Sequence, residues 1–134
     1  MNMKKTQFGF VISMLILTVF ACSFNVTTAN FNSAQMATDP QAENPATTFS
    51  PQDTFYAVID LDNAPDDTNV RAEWYAVDVE GEDPNTKIDQ AQLTTGSNQL
   101  HFKLENTSPW PKGDYKVDLF INDKLEQTLE FQVE

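Results

Sequence analysis

The stretch from residue 113 to 133 reads Gly113-Asp114-Tyr115-Lys116-Val117-Asp118-Leu119-Phe120-Ile121-Asn122-Asp123-Lys124-Leu125-Glu126-Gln127-Thr128-Leu129-Glu130-Phe131-Gln132-Val133. Tyr115, Val117, Leu119 and Ile121 alternate with Lys116, Asp118 and Phe120, and Leu125, Leu129, Phe131 and Val133 alternate with Glu126, Thr128, Glu130 and Gln132. A period of two belongs to antiparallel strands with one buried face. Asn122-Asp123 between them suits a two-residue hairpin turn, because both residues tolerate positive φ. Working outward, Leu100, Phe102 and Leu104 alternate with His101 and Lys103, and Phe55, Ala57, Ile59 and Leu61 with Tyr56, Val58 and Asp60. A further strand is predicted from Val70 to Val79, a weaker one from Lys87 to Leu93, and a short one at Thr47-Thr48-Phe49. That makes seven, and no window carries a helical apolar stripe. The predicted fold class is all-β: a two-sheet, seven-stranded antiparallel sandwich.

The spacing resembles that of the immunoglobulin and fibronectin type III group. Trp74 falls in the third strand, where those folds bury a tryptophan. Pro111-Lys112-Gly113-Asp114-Tyr115 resembles their tyrosine corner. The resemblance implies that Ile59 and Val117 stand where antibody domains carry a disulfide, with apolar packing in its place. It spans residues 46–134 and implies an architecture, since this fold hosts unrelated functions.

The chain has 134 residues, 20 Asp+Glu against 8 Lys+Arg, a net charge of −12 and one cysteine. An intrachain disulfide is therefore impossible, and acidity without a basic patch argues against nucleic acid, whose binders neutralise phosphates. Lys4 and Lys5 precede an apolar run from Phe8 to Ala21. A membrane span needs about 20 such residues, so residues 1–21 read as a signal peptide. Val19-Phe20-Ala21-Cys22 resembles the lipobox of bacterial lipoproteins, with Phe20 departing from the small residue usual there. The resemblance implies lipidation of Cys22, which makes the membrane a partner through that anchor and the chain an exported, lipid-anchored protein of the cell envelope (outer membrane or cell surface). Cleavage after Ala29, behind Thr27-Thr28, is the alternative and gives a secreted domain. Removal before Cys22 leaves six Lys+Arg against 20 Asp+Glu, a net −14. Residues 22–45 have a linker composition, and the Ser23–Ser50 stretch, taken as a flexible tether, has an r.m.s. reach of roughly 30 Å.

No catalytic constellation is present. His101 is the single histidine and is predicted to point outward, there is no Gly-x-Ser-x-Gly elbow, and Gly81, Gly96 and Gly113 stand too far apart to cradle a phosphate. No cofactor is expected, and the chain reads as a non-enzyme. Asp60, Asp62, Asp66 and Asp67 have the oxygen density of a Ca²⁺ loop, yet Pro65 and Arg71 occupy the places of the Gly and bidentate Glu of an EF-hand. Asp78, Glu80, Glu82 and Asp83 follow the next strand and fall at the opposite end of the sandwich. Asn44-Pro45-Ala46-Thr47-Thr48-Phe49 and Ser108-Pro109-Trp110 resemble two loops of the chagasin-type cysteine-protease inhibitors. The glycine-rich middle loop of that family is missing, so inhibition is not expected.

A surface remains. Tyr75, Val77 and Val79 are predicted to point away from the Trp74 face with Phe120 beside them, forming a face for a protein partner. Arg71 and Lys116 could instead lie over those rings and make the face an ordinary mixed one. Trp110, between two prolines, is expected to close one end of the core. The functional expectation is an envelope-tethered interaction or adhesion module. The alternatives are a small-ligand or Ca²⁺-binding domain, or a structural spacer of an envelope assembly.

Overall fold

The hairpin expected over residues 113–133 is present in the computed structural model, which describes residues 27–134. Strand β7 (Gly113–Ile121) turns into β8 (Lys124–Val133) through Asn122 and Asp123, at φ of 47° and 67°. Both central residues at positive φ make the turn whose twist matches the flanking strands. The expected signal segment 1–21, Cys22 and the first residues of the expected tether lie outside the described residues.

Six other strands complete the chain: β1 (Asn30–Ala37), β2 (Thr48–Phe49), β3 (Phe55–Asp62), β4 (Thr68–Val79), β5 (Thr86–Thr95) and β6 (Asn98–Leu104). The smaller sheet has the order β1-β3-β6 and the larger one β2-β8-β7-β4-β5. The count is thus eight where the periodicity gives seven. The arrangement is not wholly antiparallel either, because β2 pairs with β8 in parallel.

The eighth strand corrects the boundary of the expected linker. Residues 30–37 pair antiparallel with β3 from Asn30 opposite Asp62 to Ala37 opposite Tyr56. Only Met36 and Ala37 of this strand are buried. Its polar sequence shows no alternation because it is an edge strand held by backbone hydrogen bonds. The loop after it is closed by Asp39, whose carboxylate accepts backbone N–H groups of Gln41, Glu43 and Asn44 at 2.7–3.2 Å.

The core lies between the sheets. Trp74 is buried in β4, Ile59 in β3 and Val117 in β7, each at 1 % exposure or less. One end is aromatic. Trp110 stacks on Phe55 with centroids 4.8 Å apart, Phe131 meets Phe55 edge-on at 4.8 Å, and Phe49 approaches the same ring at 5.0 Å. The indole N–H of Trp110 donates to the Asp53 carbonyl at 3.0 Å, so its polar edge is satisfied while the ring closes the core. The Tyr115 hydroxyl donates to the Pro111 carbonyl at 2.5 Å, which is the hydrogen bond of a tyrosine corner. Gly113, at φ 147°, starts β7 where a Cβ would come within 2.7 Å of the Val79 Cα, so the backbones of β4 and β7 approach as only glycine permits.

Candidate functional site: the outer face of the larger sheet

The register of β5, β4, β7 and β8 lays their outward side chains in rows. One row runs Gln92, Arg71, Phe120 and Leu125; the next runs Gln90, Glu73, Asp118 and Thr128. A third runs Lys87, Tyr75, Lys116 and Glu130, and Val77 lies beyond it on β4. Tyr75, Val77 and Phe120 are half-buried and outward, where the alternation puts them.

Val79 is not with them. The register between β4 and β7 shifts between Ala76 and Asp78, and one extra residue reverses which face every later side chain takes. Val79 is consequently 6 % exposed and belongs to the core. A second shift, between Leu119 and Phe120, acts in the opposite sense on β8. It takes Leu125 out of the inward row and sets it opposite Phe120, 50 % exposed. Leu125 therefore joins the outer face, which the periodicity of β8 assigns to the core. Bulges leave no period-two signature, so no sequence signal marks either reversal.

The electrostatics of the face are layered. The Arg71 guanidinium lies 4.2 Å from the Phe120 ring centroid, and Lys116 Nζ lies 5.0 Å from that of Tyr75. Both contacts are within cation–π range, so the mixed-face arrangement is realised. Between them Glu73 and Asp118 stand directly opposite one another, a placement that is unfavourable for like charges. Each is compensated. Glu73 Oε1 receives Lys87 Nζ at 2.8 Å and Arg71 Nε at 3.7 Å, and Asp118 accepts from the Thr128 hydroxyl at 2.7 Å with Lys116 Nζ at 3.4 Å. Arg71 also pairs with Asp123 in the β7–β8 turn. The result is a face with two cation-capped rings on either side of a neutralised acidic centre.

The other sequence candidates are dispersed. His101 is exposed on β6, with the Tyr56 ring edge-on at 5.9 Å. Asp60 sits within the smaller sheet and accepts from Asn32 Nδ2 at 3.0 Å, Asp62 ends β3 opposite Asn30, and Asp66 and Asp67 lie in the following turn, Asp66 beside Gly96. No group of three or more His, Cys, Asp or Glu converges on a cation position among the described residues. The Ca²⁺ alternative on Asp60, Asp62, Asp66 and Asp67 gains no support from this placement. Phe49, at the end of the inhibitor-like string, is 2 % exposed in β2, so this residue is core while Asn44, Pro45, Thr47 and Thr48 are exposed.

Comparison with solved structures places this sandwich among known ones. An immunoglobulin-like protein from Pseudomonas aeruginosa matches with a TM-score of 0.56 and 16% identity, over 79% of this chain and 96% of that one. The chain has an immunoglobulin-like fold. An alkylpurine DNA glycosylase from Pseudomonas fluorescens, solved with DNA containing an abasic-site analogue, matches with a TM-score of 0.52 and 13% identity. The match covers 79% of this chain and 30% of the glycosylase, and at this identity both likenesses concern fold alone. No protein-family model and no curated protein sequence matches the chain.

Proposed function

We propose that this protein is a non-catalytic, protein-binding module of the cell envelope, anchored through a lipid on Cys22. The observation that carries the binding reading is the outer face of the larger sheet. Phe120, Leu125, Tyr75 and Val77 form one surface; Arg71 and Lys116 lie over two of its rings, yet Leu125 beside Phe120 stays 50 % exposed. Tyr, Phe and Arg are the types enriched at protein interfaces. Ion pairs with Glu73, Asp123 and Asp118 hold Arg71 and Lys116 in place before a partner arrives, which lowers the ordering cost of binding. A sandwich that matches an immunoglobulin-like protein over nearly its whole length suits such a role.

The anchor reading rests on the lipobox-like Val19-Phe20-Ala21-Cys22. It has a structural supporter in residues 28 and 29. The Thr28 hydroxyl donates to the Asn63 carbonyl at 2.7 Å, and Ala29 is buried. Cleavage after Ala29 would remove both contacts, whereas cleavage before Cys22 keeps them. Seven residues then separate Cys22 from β1, a span of at most about 25 Å. The domain works close to the bilayer, and its net −14 faces anionic headgroups that repel it, turning its larger surfaces to other envelope proteins.

The test is Tyr75→Glu combined with Phe120→Glu. Both side chains are outward, so the variant folds, with a melting temperature within a few degrees of the wild type. It no longer co-purifies the envelope protein that the wild type retains. Undiminished retention by the folded variant would sink the reading.

A further inference from the structure

The two sheets are unequal, and the inequality leaves a strand position open. Three strands face five, with β6 at one edge of the smaller sheet and β5 at the corresponding edge of the larger. Gly96-Ser97 leads straight from β5 into β6, and among the described residues nothing pairs with the second edge of β6. An unpaired edge presents backbone donors and acceptors ready to receive another strand.

The side of β5 that would face such a strand carries two apolar residues, Ala91 and Leu93, between Asp89 and Thr95. Leu93 and Ala91 lie opposite Val70 and Ala72, whose side chains form the core, so this row of β5 faces inward with them. No strand among the described residues covers it, and Leu93 is 45 % exposed. Ile88, the extra residue where the β4–β5 register shifts, is 36 % exposed. It borders a cleft of about 460 Å³ floored by Leu104 and Trp110. The carboxylates at this cleft are Glu82, Asp89 and Glu105, the last with Lys103 Nζ at 3.6 Å, against Lys87 in the cleft lining, whose ammonium is already held by Glu73 at 2.8 Å.

We propose that an extended segment of a partner protein adds to β6 as the fourth strand of the smaller sheet. Its inward side chains are apolar and cover Ile88 and Leu93, and its Lys or Arg residues meet Glu82, Asp89 and Glu105. Charge selects this occupant. A second copy of the mature chain would bring its own net −14 against an acidic cleft, whereas a basic strand neutralises it. The surface is separate from the outer face described above, and it deepens the reading of the chain as a binding module by naming the chemistry of a partner segment.

The probe is a synthetic peptide alternating Val and Thr with a Lys-Arg-Lys cluster at one terminus. Two versions carry the cluster at the N- or C-terminus, to cover both strand directions. One version binds the purified protein with a Kd below about 100 µM, as befits a small transient contact, and shifts the backbone amide resonances of Asn98–Leu104. Alternate N-methylation of that peptide abolishes binding, and replacing its cluster by Glu weakens binding at least about tenfold. Ile88→Thr with Leu93→Thr, which keeps strand propensity, weakens it by a similar factor, while the Tyr75→Glu, Phe120→Glu variant binds as wild type does. The proposal is overturned if neither version binds, or if the N-methylated peptide, the Glu peptide or the Ile88→Thr, Leu93→Thr variant binds equally well. Self-association of the protein alone that the same two substitutions abolish would make the occupant a second copy and overturn it too.

Discussion

Tyr115 carries two contributions that can be separated by pH. Its hydroxyl donates to the Pro111 carbonyl, and its ring stacks on Phe131 with centroids 5.6 Å apart. Burial, assisted by the nearby Glu82 carboxylate, pushes its ionisation up to about 12. The neutral phenol is therefore favoured in the folded state. That stability is fully present below the ordinary phenol value near 10 and is lost as pH rises through about 12. Tyr115→Phe should lose about 1 kcal/mol at pH 8, the usual net worth of one hydrogen bond. Thermal melts from pH 8 to 11.5 should show the wild type losing its advantage over the variant between pH 10 and 12. A constant gap would contradict the assignment. This residue was legible in the sequence because a Gly-bearing bend before a Tyr that opens a strand is a local pattern. Trp74 and Trp110 were legible because large aromatics in a small sandwich have few places other than the core.

Among the elements, β3 to β8 were legible and β1 was not. Except for β5, the weaker of the expected strands, which buries none of its side chains, the legible strands bury a core-facing row, so composition and geometry carry the same signal. In Asn30–Ala37 the backbone alone does the pairing, and Asn, Ser and Gln side chains stand in solvent. Truncation separates strand from tether. A chain beginning at Thr38 should melt well below one beginning at Thr27, because it exposes one edge of β3 and uncovers Met36 and Ala37 positions of the core. Equal melting temperatures would return residues 30–37 to a linker. The bulges in β4 and β8 are the other illegible feature. They exchanged Val79 for Leu125 on the outer face, and they act through register, which single-strand periodicity does not encode.

For the whole molecule, the imbalance of three strands against five and the charge of −12 set what it can do. The sandwich is a framework whose two sides offer different chemistry: a cation-capped aromatic sheet face, and an open acidic edge beside β6. Sequence reading found the first in outline from Tyr75 and Phe120. It did not find the second, because an empty strand position is a property of topology. The function also depends on where the framework is held, and that turns on Cys22. The direct measurement is the intact mass of the mature protein purified from its native cells. The account predicts a species that begins at Cys22 and carries a diacylglyceryl addition, with β1 and the Thr28–Asn63 contact retained. A species beginning at Asn30 would contradict the tether, and would make this a freely secreted domain lacking the Thr28 and Ala29 contacts.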